Sequence, residues 1–289
     1  MATRIASAER GGTFWTQALA LKTVLDRETG LAPVEVLDSA GASVETAERL
    51  EDGSADFGFM AANWVPRAAR GERPFAHKLD LRIAAPMNAG PLFFIARADA
   101  AIRTVADLAG KRVVFGPEKS GMAQHARTML DLLGLAVTPL FLDFAAGGAA
   151  VETGSADAQL QCPIPNAVMT ALSERVAVRV LPYDEGQLER LRDAVPYYRD
   201  AVMRAGALRG LERDMQQVGV LNLLVVHARV SDAVAEAVAR AVASNAGELA
   251  RLNPLFIGLE TLLREVGTLG EVPLHPGARN AYRALGLMR

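Results

Sequence analysis

The tetrapeptide Gly-Ser-Ala-Asp occurs twice in the chain, at residues 53–56 and again at residues 154–157. Each copy follows a segment with helical spacing of apolar residues and leads into a short strand-like run, FGFMA and AQLQ respectively. A glycine that ends a helix just before an aspartate-led strand is typical of a βαβ junction. The repeat therefore predicts two similar α/β halves, each containing one copy of this turn.

Strand and helix patterns alternate along the chain outside this turn as well. Apolar residues recur every three to four positions from Phe14 to Leu25, while LFFIARAD (92–99) and VGVLNLLVV (218–226) are typical of buried strands. Such alternation predicts parallel sheets covered by helices on both faces. In these sheets ligands bind at the carboxyl ends of the strands. The loops predicted at that position are 8–13, 38–43, 61–65, 116–121, 143–148 and 161–167.

Composition limits the classes of function. Hydrophobic residues make up 51% and charged residues 22% of the 289 residues, and the net charge is −2. These values are typical of a globular protein and do not indicate a nucleic-acid surface. A single cysteine excludes an internal disulfide, and the four histidines lack metal-ligand spacing. No metal or other cofactor is predicted.

The first residues lack the basic and apolar regions of a signal peptide, because Thr3-Arg4-Ile5-Ala6 already has the pattern of a strand. No apolar run reaches the roughly 18–20 residues that a spanning helix needs. Two locations stay open at this point. The chain is either cytoplasmic or a mature form whose leader has been removed.

Two loops of the first half have the composition of a ligand site. Gly12-Thr13 precedes a helix, where backbone N–H groups and the helix end favour an anion, although a plain turn uses the same glycines. Asn63 and Trp64 follow the FGFMA strand, and either line a pocket or belong to the core. Ser43 is the predicted N-cap of the helix that leads to the first Gly-Ser-Ala-Asp copy.

Two loops of the second half occupy equivalent positions. The segment Gly116–Gly121 contains Lys-Ser, but its second glycine follows the serine, which is the wrong order for a P-loop. Ser120 either helps to bind a small anion or only caps its helix. In the segment Gln161–Ala167, Asn166 either donates to a ligand or caps the next helix.

Catalytic patterns are weak. There is no Gly-x-Ser-x-Gly elbow and no clear acid–base carboxylate pair, and Asp56 and Asp157 are interpreted as turn residues. Cys162 has no evident histidine partner, and a lone buried cysteine is usually inert. The sequence therefore favours binding over catalysis.

An ordered set of motifs extends over nearly the whole chain. They are GGTFW, SAGASVETAERLEDGSADFGFMAANW, FFIARADAAIRTVADLAGKRVVFGPEKSGM, YDEGQLERLRDAVPYY, VGVLNLLVVHARV and VPLHPGA. In this order they resemble the TAXI family, the solute-binding proteins of tripartite ATP-independent periplasmic (TRAP) transporters. The SVETAERLEDGSADFGF block and the PLHPGA ending carry most of the resemblance.

The resemblance implies a type II periplasmic-binding-protein fold, in which two α/β lobes joined by crossing hinge strands close on one ligand. Lobe one would contain residues 1–93 and 223–289, and lobe two residues 94–222. The implied function is an extracytoplasmic receptor that binds a small carboxylate and delivers it to the membrane subunits of a TRAP transporter. A monomer, a periplasmic location and no catalytic activity are expected.

The ligand-binding residues that the resemblance implies are Gly12, Thr13, Phe14, Ser39, Ser43, Asn63, Trp64, Ser120, Gly121, Met122, Pro163 and Asn166. Three departures from the family pattern each remove polar groups. Phe14-Trp15 replaces two tyrosines, Ala61-Ala62-Asn63 replaces a Gln-Ser-Asp type segment, and Met122 replaces a threonine. We therefore expect a carboxylate, an amino acid or an organic acid, more apolar than glutamate.

Two other functions are compatible with such a fold. One is a cytosolic sensor or regulator that binds a small molecule. The other is an enzyme, for which Cys162, His125 and Glu118 are the only candidate groups that the sequence offers.

Overall fold

The structure is a computed structural model. It describes residues 2–8, 10, 12–27, 31, 33–39, 41–118, 120–162 and 167–289. Of the predicted ligand residues, Pro163 and Asn166 lie outside the described residues.

Strands and helices alternate through most of the described chain, as predicted. The strands are β1 (Thr3–Ala6), β2 (Val34–Leu37), β3 (Phe57–Ala61), β4 (Leu81–Arg97), β5 (Arg112–Val114), β6 (Thr138–Leu140), β7 (Ala158–Gln161), β8 (Val178–Val180), β9 (Tyr198–Met203) and β10 (Met215–His227).

The helices of the described chain are α1 (Thr13–Leu25), α2 (Ala42–Asp52), α3 (Val65–Arg70), α4 (Gly121–Leu133), α5 (Phe144–Thr153), α6 (Ala167–Arg175), α7 (Glu185–Ala194), α8 (Asp232–Ser244), α9 (Ala246–Leu252), α10 (Leu259–Arg264) and α11 (Pro276–Ala284). None of them is long and apolar enough to cross a membrane.

The chain divides into two compact units. Unit 1 contains the residues up to Asn88 together with Leu221–Arg289, and unit 2 contains Ala89–Val220. Both boundaries fall inside strands, one in β4 and the other in β10. These two strands therefore carry the chain from unit 1 into unit 2 and back. The limits predicted for the two lobes stay a prediction.

The sheet of unit 1 has the order β2-β1-β3-β10. β1 is parallel to both β2 and β3, whereas β10 is antiparallel to β3. Because α1 and α2 connect these parallel strands, the carboxyl ends of β1, β2 and β3 lie at one edge of the sheet. The loops that follow them share this edge.

The sheet of unit 2 repeats this arrangement in the order β6-β5-β7-β4. β5 is parallel to β6 and β7, while β4 is antiparallel to β7. β8 pairs with β4 and β9 pairs with β10. The two units thus use the same order of four strands, with β5, β6 and β7 in the places of β1, β2 and β3.

The first Gly-Ser-Ala-Asp turn binds an arginine of the neighbouring strand. The carboxylate of Asp56 accepts the backbone N–H of Arg4 at 2.8 Å, and Arg4 Nη2 donates to the carbonyl oxygen of Gly53 at 2.7 Å. Gly53 has a φ of +79°, a left-handed conformation that favours glycine. We call this set of three residues the unit 1 clamp. It fastens the start of β3 to β1.

The second turn forms the same contacts in unit 2. Asp157 accepts the backbone N–H of Arg112 at 2.8 Å, and Arg112 Nη2 donates to the carbonyl oxygen of Gly154 at 2.8 Å. The φ of Gly154 is +78°. We call these three residues the unit 2 clamp. The repeat in the sequence therefore corresponds to a repeated contact between strands, as well as to a repeated turn.

The sheet of unit 2 is buried on both faces. Phe94 on β4 packs in a cluster with Ala126 and Met129 of α4, whereas the next residue, Ile95, packs with Val151 of α5 and Leu172 of α6. Successive side chains of a strand point to opposite faces. Helices thus cover both sides of this sheet, as the alternating pattern predicts.

Three elements differ from the sequence-based expectation. β4 begins at Leu81, well before the predicted start, because Pro86, Gly90 and Pro91 interrupt the apolar run without ending the strand. The stretch after Leu181 contains α7 and β9, although its charged residues hide the pattern. Capping by Asp184, whose side chain accepts the N–H of Gln187, starts α7 locally.

Candidate functional site

Three loops of unit 1 follow parallel strands and meet at one edge of its sheet. Ser39 N–H donates to the carbonyl oxygen of Ala8 at 3.1 Å, which joins the loop after β2 to the loop after β1. The N–H of Ala61, at the end of β3, donates to Ser43 Oγ at 3.0 Å. The structure therefore brings together the predicted positions on the loops after β2 and β3.

Ser43 is not the N-cap of α2, and this prediction is wrong. The helix begins two residues earlier than predicted, at Ala42, with Gly41 in the cap position. Gly41 N–H donates to Glu45 Oε2 at 2.8 Å, so the carboxylate from inside the helix fills the role of a cap. This N–H and the Arg49 guanidinium lower the pKa of Glu45 below its ordinary value. The N-terminus of α2 therefore already carries a negative charge.

The N-terminus of α1 has no comparable group. Gly12 is its cap residue, with a ψ of 166°, and no side chain accepts a hydrogen bond from the first turn among the described residues. The first N–H groups of a helix are unsatisfied within the helix and carry partial positive charge. The predicted residues Gly12, Thr13 and Phe14 thus present backbone donors that suit an anion.

A buried trio of amide side chains links α1 to β4 and β10 within unit 1. Asn88 Oδ1 accepts from Gln17 Nε2 at 3.2 Å and from Asn222 Nδ2 at 3.1 Å. All three residues are buried. Gln17 Oε1 has no hydrogen-bond partner in the described part of the chain. This trio was not predicted from the sequence, although a single polar residue within an apolar run, such as Asn222, is a signal of it.

Two predicted residues carry unused polar atoms. Ser39 is 1% exposed and Asn63 is 5% exposed. Neither Ser39 Oγ nor Asn63 Oδ1 has a partner among the described residues. An unsatisfied buried polar atom costs about 1–3 kcal/mol, so native structures keep few of them without a reason. A ligand that hydrogen-bonds here would satisfy these atoms.

The two predicted aromatic residues of unit 1 have different surroundings. The ring of Phe14 is partly exposed and lies 5.7 Å from the ring of Phe59, centroid to centroid. Trp64 packs edge-on against Phe75 at 6.3 Å, and the guanidinium of Arg67 lies over its ring at 4.9 Å. Phe14 therefore keeps a free apolar surface, while Trp64 is largely engaged in packing.

One cation near this edge was not predicted. Arg10 precedes the cap of α1, and its guanidinium lies 5.1 Å from the centre of the Trp15 ring and 3.7 Å from Asp38. The Arg10 side chain is 74% exposed. Its position next to the glycines of the first loop was the available signal in the sequence.

The predicted residues of unit 2 lie at the N-terminus of α4. Ser120 is its cap, and Ser120 Oγ accepts the N–H of Ala123 at 3.1 Å. This confirms the capping interpretation and occupies one lone pair of the hydroxyl. Gly121 and Met122 form the partly exposed first turn.

Unit 2 also contains buried side chains outside α4 whose polar atoms are unsatisfied. One polar atom has no partner among the described residues in each of Tyr183, Gln159 and Gln217.

The sequence model of the NMT1-like family matches residues 5–286 of this chain, which is almost its entire length. The chain belongs to the NMT1-like family.

Solved structures of several solute-binding proteins are similar to this NMT1-like protein. The periplasmic aliphatic sulphonate binding protein SsuA from Escherichia coli is 18% identical, with a TM-score of 0.52, over 100% of this chain and 84% of that chain. A TctC solute binding protein from Polaromonas is 16% identical, with a TM-score of 0.56, over 91% of this chain and 98% of that chain. These likenesses confirm the predicted α/β fold of the periplasmic-binding-protein type.

Two of the candidate catalytic groups of this NMT1-like protein, Cys162 and His125, are buried, and burial shifts their pKa values away from neutral pH. Burial raises the pKa of the Cys162 thiol to about 12, and the thiol donates to the carbonyl oxygen of Gly90 at 3.7 Å. Burial lowers the pKa of His125 to about 4, and its Nδ1 lies 2.9 Å from the Tyr198 hydroxyl. A protonated thiol and a neutral, buried imidazole are packing residues here.

Two histidine side chains of unit 1 lie next to the carboxylate of Glu51. Glu51 Oε2 lies 3.2 Å from His227 Nε2, and Glu51 Oε1 lies 3.6 Å from His77 Nε2. The Arg229 N–H donates to His227 Nδ1, which leaves the ring proton on Nε2. Within the described ranges, no group of three His, Cys, Asp or Glu side chains has the geometry of a metal site.

Proposed function

We propose that this protein is a TAXI-type receptor that binds a small carboxylate outside the cytoplasm and delivers it to the membrane subunits of a TRAP transporter. One observation carries the proposal. Unsatisfied buried polar atoms of Gln17, Ser39 and Asn63 accompany the uncapped N-terminus of α1 in unit 1. Membership of the NMT1-like family and a fold shared with solute-binding proteins support the receptor function.

The carboxylate is proposed to accept hydrogen bonds from backbone N–H groups. The N–H groups at Thr13 and Phe14 present partial positive charge without a competing side-chain cap. The guanidinium of Arg10, which also lies 3.7 Å from Asp38, is close in sequence to these donors. A carboxylate accepts hydrogen bonds from several such donors at once.

The remainder of the ligand is proposed to be more apolar than glutamate. Phe14 presents a partly exposed ring, and Met122 lies on the exposed first turn of α4. Ser39 and Asn63 supply neutral polar atoms, which suit an amino or hydroxyl group. An amino acid or hydroxy acid with an aliphatic or aromatic side chain combines these properties.

The proposed site residues divide into two groups. Gly12, Thr13, Phe14, Ser39, Asn63, Gly121 and Met122 are proposed to touch the ligand. Ser43, Trp64 and Ser120 are proposed to hold the loops, because their side chains already have partners. Pro163 and Asn166 belong to the proposal from the family resemblance.

The first experiment is a thermal-shift screen of small carboxylates and amino acids, followed by calorimetric titration of the best ligand. At 100 times its dissociation constant, a ligand stabilises the folded protein by about 2.7 kcal/mol. Asn63→Ala and Ser39→Ala are expected to weaken binding about tenfold each, the loss of one hydrogen bond to a charged or strongly polar group.

Ser173→Ala is the matched control for Ser39→Ala. Ser173 is 3% exposed, but its hydroxyl donates to the carbonyl oxygen of Thr170 within α6. This variant should leave binding unchanged. If no carboxylate raises the melting temperature while sulfonates or neutral sugars do, the proposed ligand class is wrong. If none of these compounds binds, the receptor function itself is wrong.

A further inference from the structure

Unit 1 contains a cavity of about 290 Å³ that none of the predicted ligand residues lines. It lies between the first half of β4 and the segment that leads into α11. Its apolar wall is formed by Ile83, Val266, Leu269, Val272 and Leu274, which are at most 7% exposed. This volume is close to the lower end of the range of small-ligand pockets, about 300–1,000 Å³, so the cavity suits only a small molecule.

One residue that lines the cavity is a glycine, Gly267. A Cβ atom added at Gly267, which lines the cavity, would meet no atom within 4 Å. The absence of a side chain at this position thus leaves space that neighbouring residues do not fill. A larger side chain at this position of the cavity lining is accommodated without a backbone clash, which gives a variant for blocking the cavity.

Two arginines of α11 line the same cavity. Arg279 and Arg283 are four residues apart and therefore lie on one face of the helix. Arg283 Nε donates to the carbonyl oxygen of Arg289 at 3.5 Å. In the described part of the chain, no side-chain hydrogen bond or ion pair involves the guanidinium of Arg279, which is only partly exposed.

The opposite face of α11 is fixed to the unit. Ala278, Ala281 and Tyr282 are fully buried, and the Tyr282 hydroxyl donates to the carbonyl oxygen of Ala84 at 2.8 Å. The positions of both arginine backbones are therefore set by the core. An apolar cavity beside Arg283 and beside Arg279, whose guanidinium has no carboxylate partner among the described residues, complements a molecule with a short hydrocarbon part and an anionic head.

We infer that this cavity is a second ligand site, which binds a small amphipathic anion, a carboxylate or sulfonate on a short hydrocarbon chain. The hydrocarbon contacts the apolar wall, and Arg279 is the main donor to the head group. Ile83 precedes Asn88 of the buried amide trio by five residues, or about 16 Å along an extended strand. The site is therefore separate from the loops at the strand ends.

The test uses protein labelled with ¹³C at the methionine methyl groups. Met288 lines the cavity, whereas Met122 lies on the proposed ligand loop of unit 2. Each resonance is assigned by a Met→Leu variant. Titration with hexanoate or hexanesulfonate is expected to shift the Met288 signal. Hexylammonium should leave it in place, and hexanol should act only at concentrations about tenfold higher or more.

Three variants complete the experiment. Arg279→Gln is expected to weaken hexanoate binding at Met288 about tenfold, the equivalent of one charge-assisted hydrogen bond. Gly267→Leu should abolish the shift by filling the cavity. Arg264→Gln is the matched control, since it removes the same charge from an exposed position of unit 1 that does not line the cavity.

Several results would overturn the inference. A Met288 signal that does not respond to hexanoate excludes the site. Equal responses to hexanol and hexanoate, or an unchanged affinity in Arg279→Gln, exclude anion recognition. A hexanoate response confined to Met122 assigns the ion to the proposed receptor site and removes the second one.

Discussion

Some buried polar side chains at the strand ends of unit 1 form hydrogen bonds within the fold, and others have polar atoms without a partner among the described residues. Ser43 Oγ accepts a backbone N–H from Ala61, whereas Ser39 Oγ has no partner among the described residues. Both serines are buried. The same chemical group therefore stabilises the fold at one position and is free to bind a ligand at the other.

This difference predicts opposite effects of two matched substitutions. Ser43→Ala is expected to lower the free energy of unfolding by about 1–2 kcal/mol, because the Ala61 N–H loses its acceptor. Ser39→Ala should leave the free energy of unfolding unchanged or raise it, because an unsatisfied oxygen is removed. Urea denaturation of the ligand-free variants measures both. Equal losses in the two variants would contradict the assignment.

His125 makes stability depend on pH. Its pKa is lowered to about 4 by burial, against an unfolded value of about 6.5. Below pH 6.5 the unfolded chain binds a proton that the folded protein does not. About 3 kcal/mol of stability is therefore expected to be lost as the pH falls from 7 to 4.

Unfolding free energies at pH 7 and pH 4.5 test this linkage. His125→Gln should flatten the pH dependence, whatever its effect at neutral pH. The control is His77→Gln, which removes an exposed imidazole. If the unfolding free energy of His125→Gln depends on pH as strongly as that of the unsubstituted protein, other groups cause the pH dependence.

The polar residues at the strand ends of unit 1 were predictable from the sequence only in part. Ser39 and Asn63 were predicted because they follow strands in the expected order. Gln17, Asn88 and Asn222 were missed, since one polar residue on a helix face or in an apolar strand looks like an exception to the pattern. Only the tertiary structure shows that these exceptions meet.

At the scale of elements, the two clamps are the clearest repeated feature. Asp157→Ala is expected to cost about 2 kcal/mol, because its carboxylate accepts both the backbone and the side chain of Arg112. The Arg112 side chain lowers the pKa of Asp157, in agreement with this contact. Asp56→Ala should have a similar cost at Arg4.

Hydrogen exchange distinguishes the two clamps. In Asp157→Ala, amide exchange should accelerate in β5 and β7, while in Asp56→Ala it should accelerate in β1 and β3. Each variant thus serves as the control for the other. Faster amide exchange in the same strands in both variants would contradict the assignment of one clamp to each unit.

The packing of α8 against α11 depends on a glycine. A Cβ atom at Gly277 would lie 2.0 Å from the backbone oxygen of Asp232. Gly277→Ala is therefore expected to lower the free energy of unfolding by about 3 kcal/mol or more. Gly247→Ala in α9 is the control. The added Cβ meets only side-chain atoms at 3.6 Å or beyond, so the free energy of unfolding should hold or rise by up to about 1 kcal/mol. Thermal and urea unfolding of both variants check this.

Elements with strong periodicity were predictable, and elements set by pairing were not. The helices α1 and α4 follow from their apolar spacing and from Gly134 at the end of α4. β9 has no such pattern, and it exists because β10 offers a partner along its full length. Edge pairing of this kind depends on residues distant in sequence, which a local pattern does not contain.

At the scale of the whole molecule, the chain path is that of an insertion. The chain leaves unit 1 after Asn88 and returns at Leu221. The repeated tetrapeptide predicted two similar halves, but it did not predict that one would interrupt the other. That arrangement came from the family resemblance, because composition and periodicity contain no information about which strands return to which sheet.

The hydrogen bond between Asn88 and Asn222 has a practical consequence for dissecting the protein. Because their side chains touch at 3.1 Å, the two cut ends left by deleting residues 89–220 lie next to each other in unit 1. A short glycine-rich bridge would close the gap with little loop entropy. The shortened protein would retain the sheet β2-β1-β3-β10, the uncapped N-terminus of α1 and the cavity beside α11. Ligand binding by unit 1 could then be titrated without any contribution from unit 2 to the measured affinity.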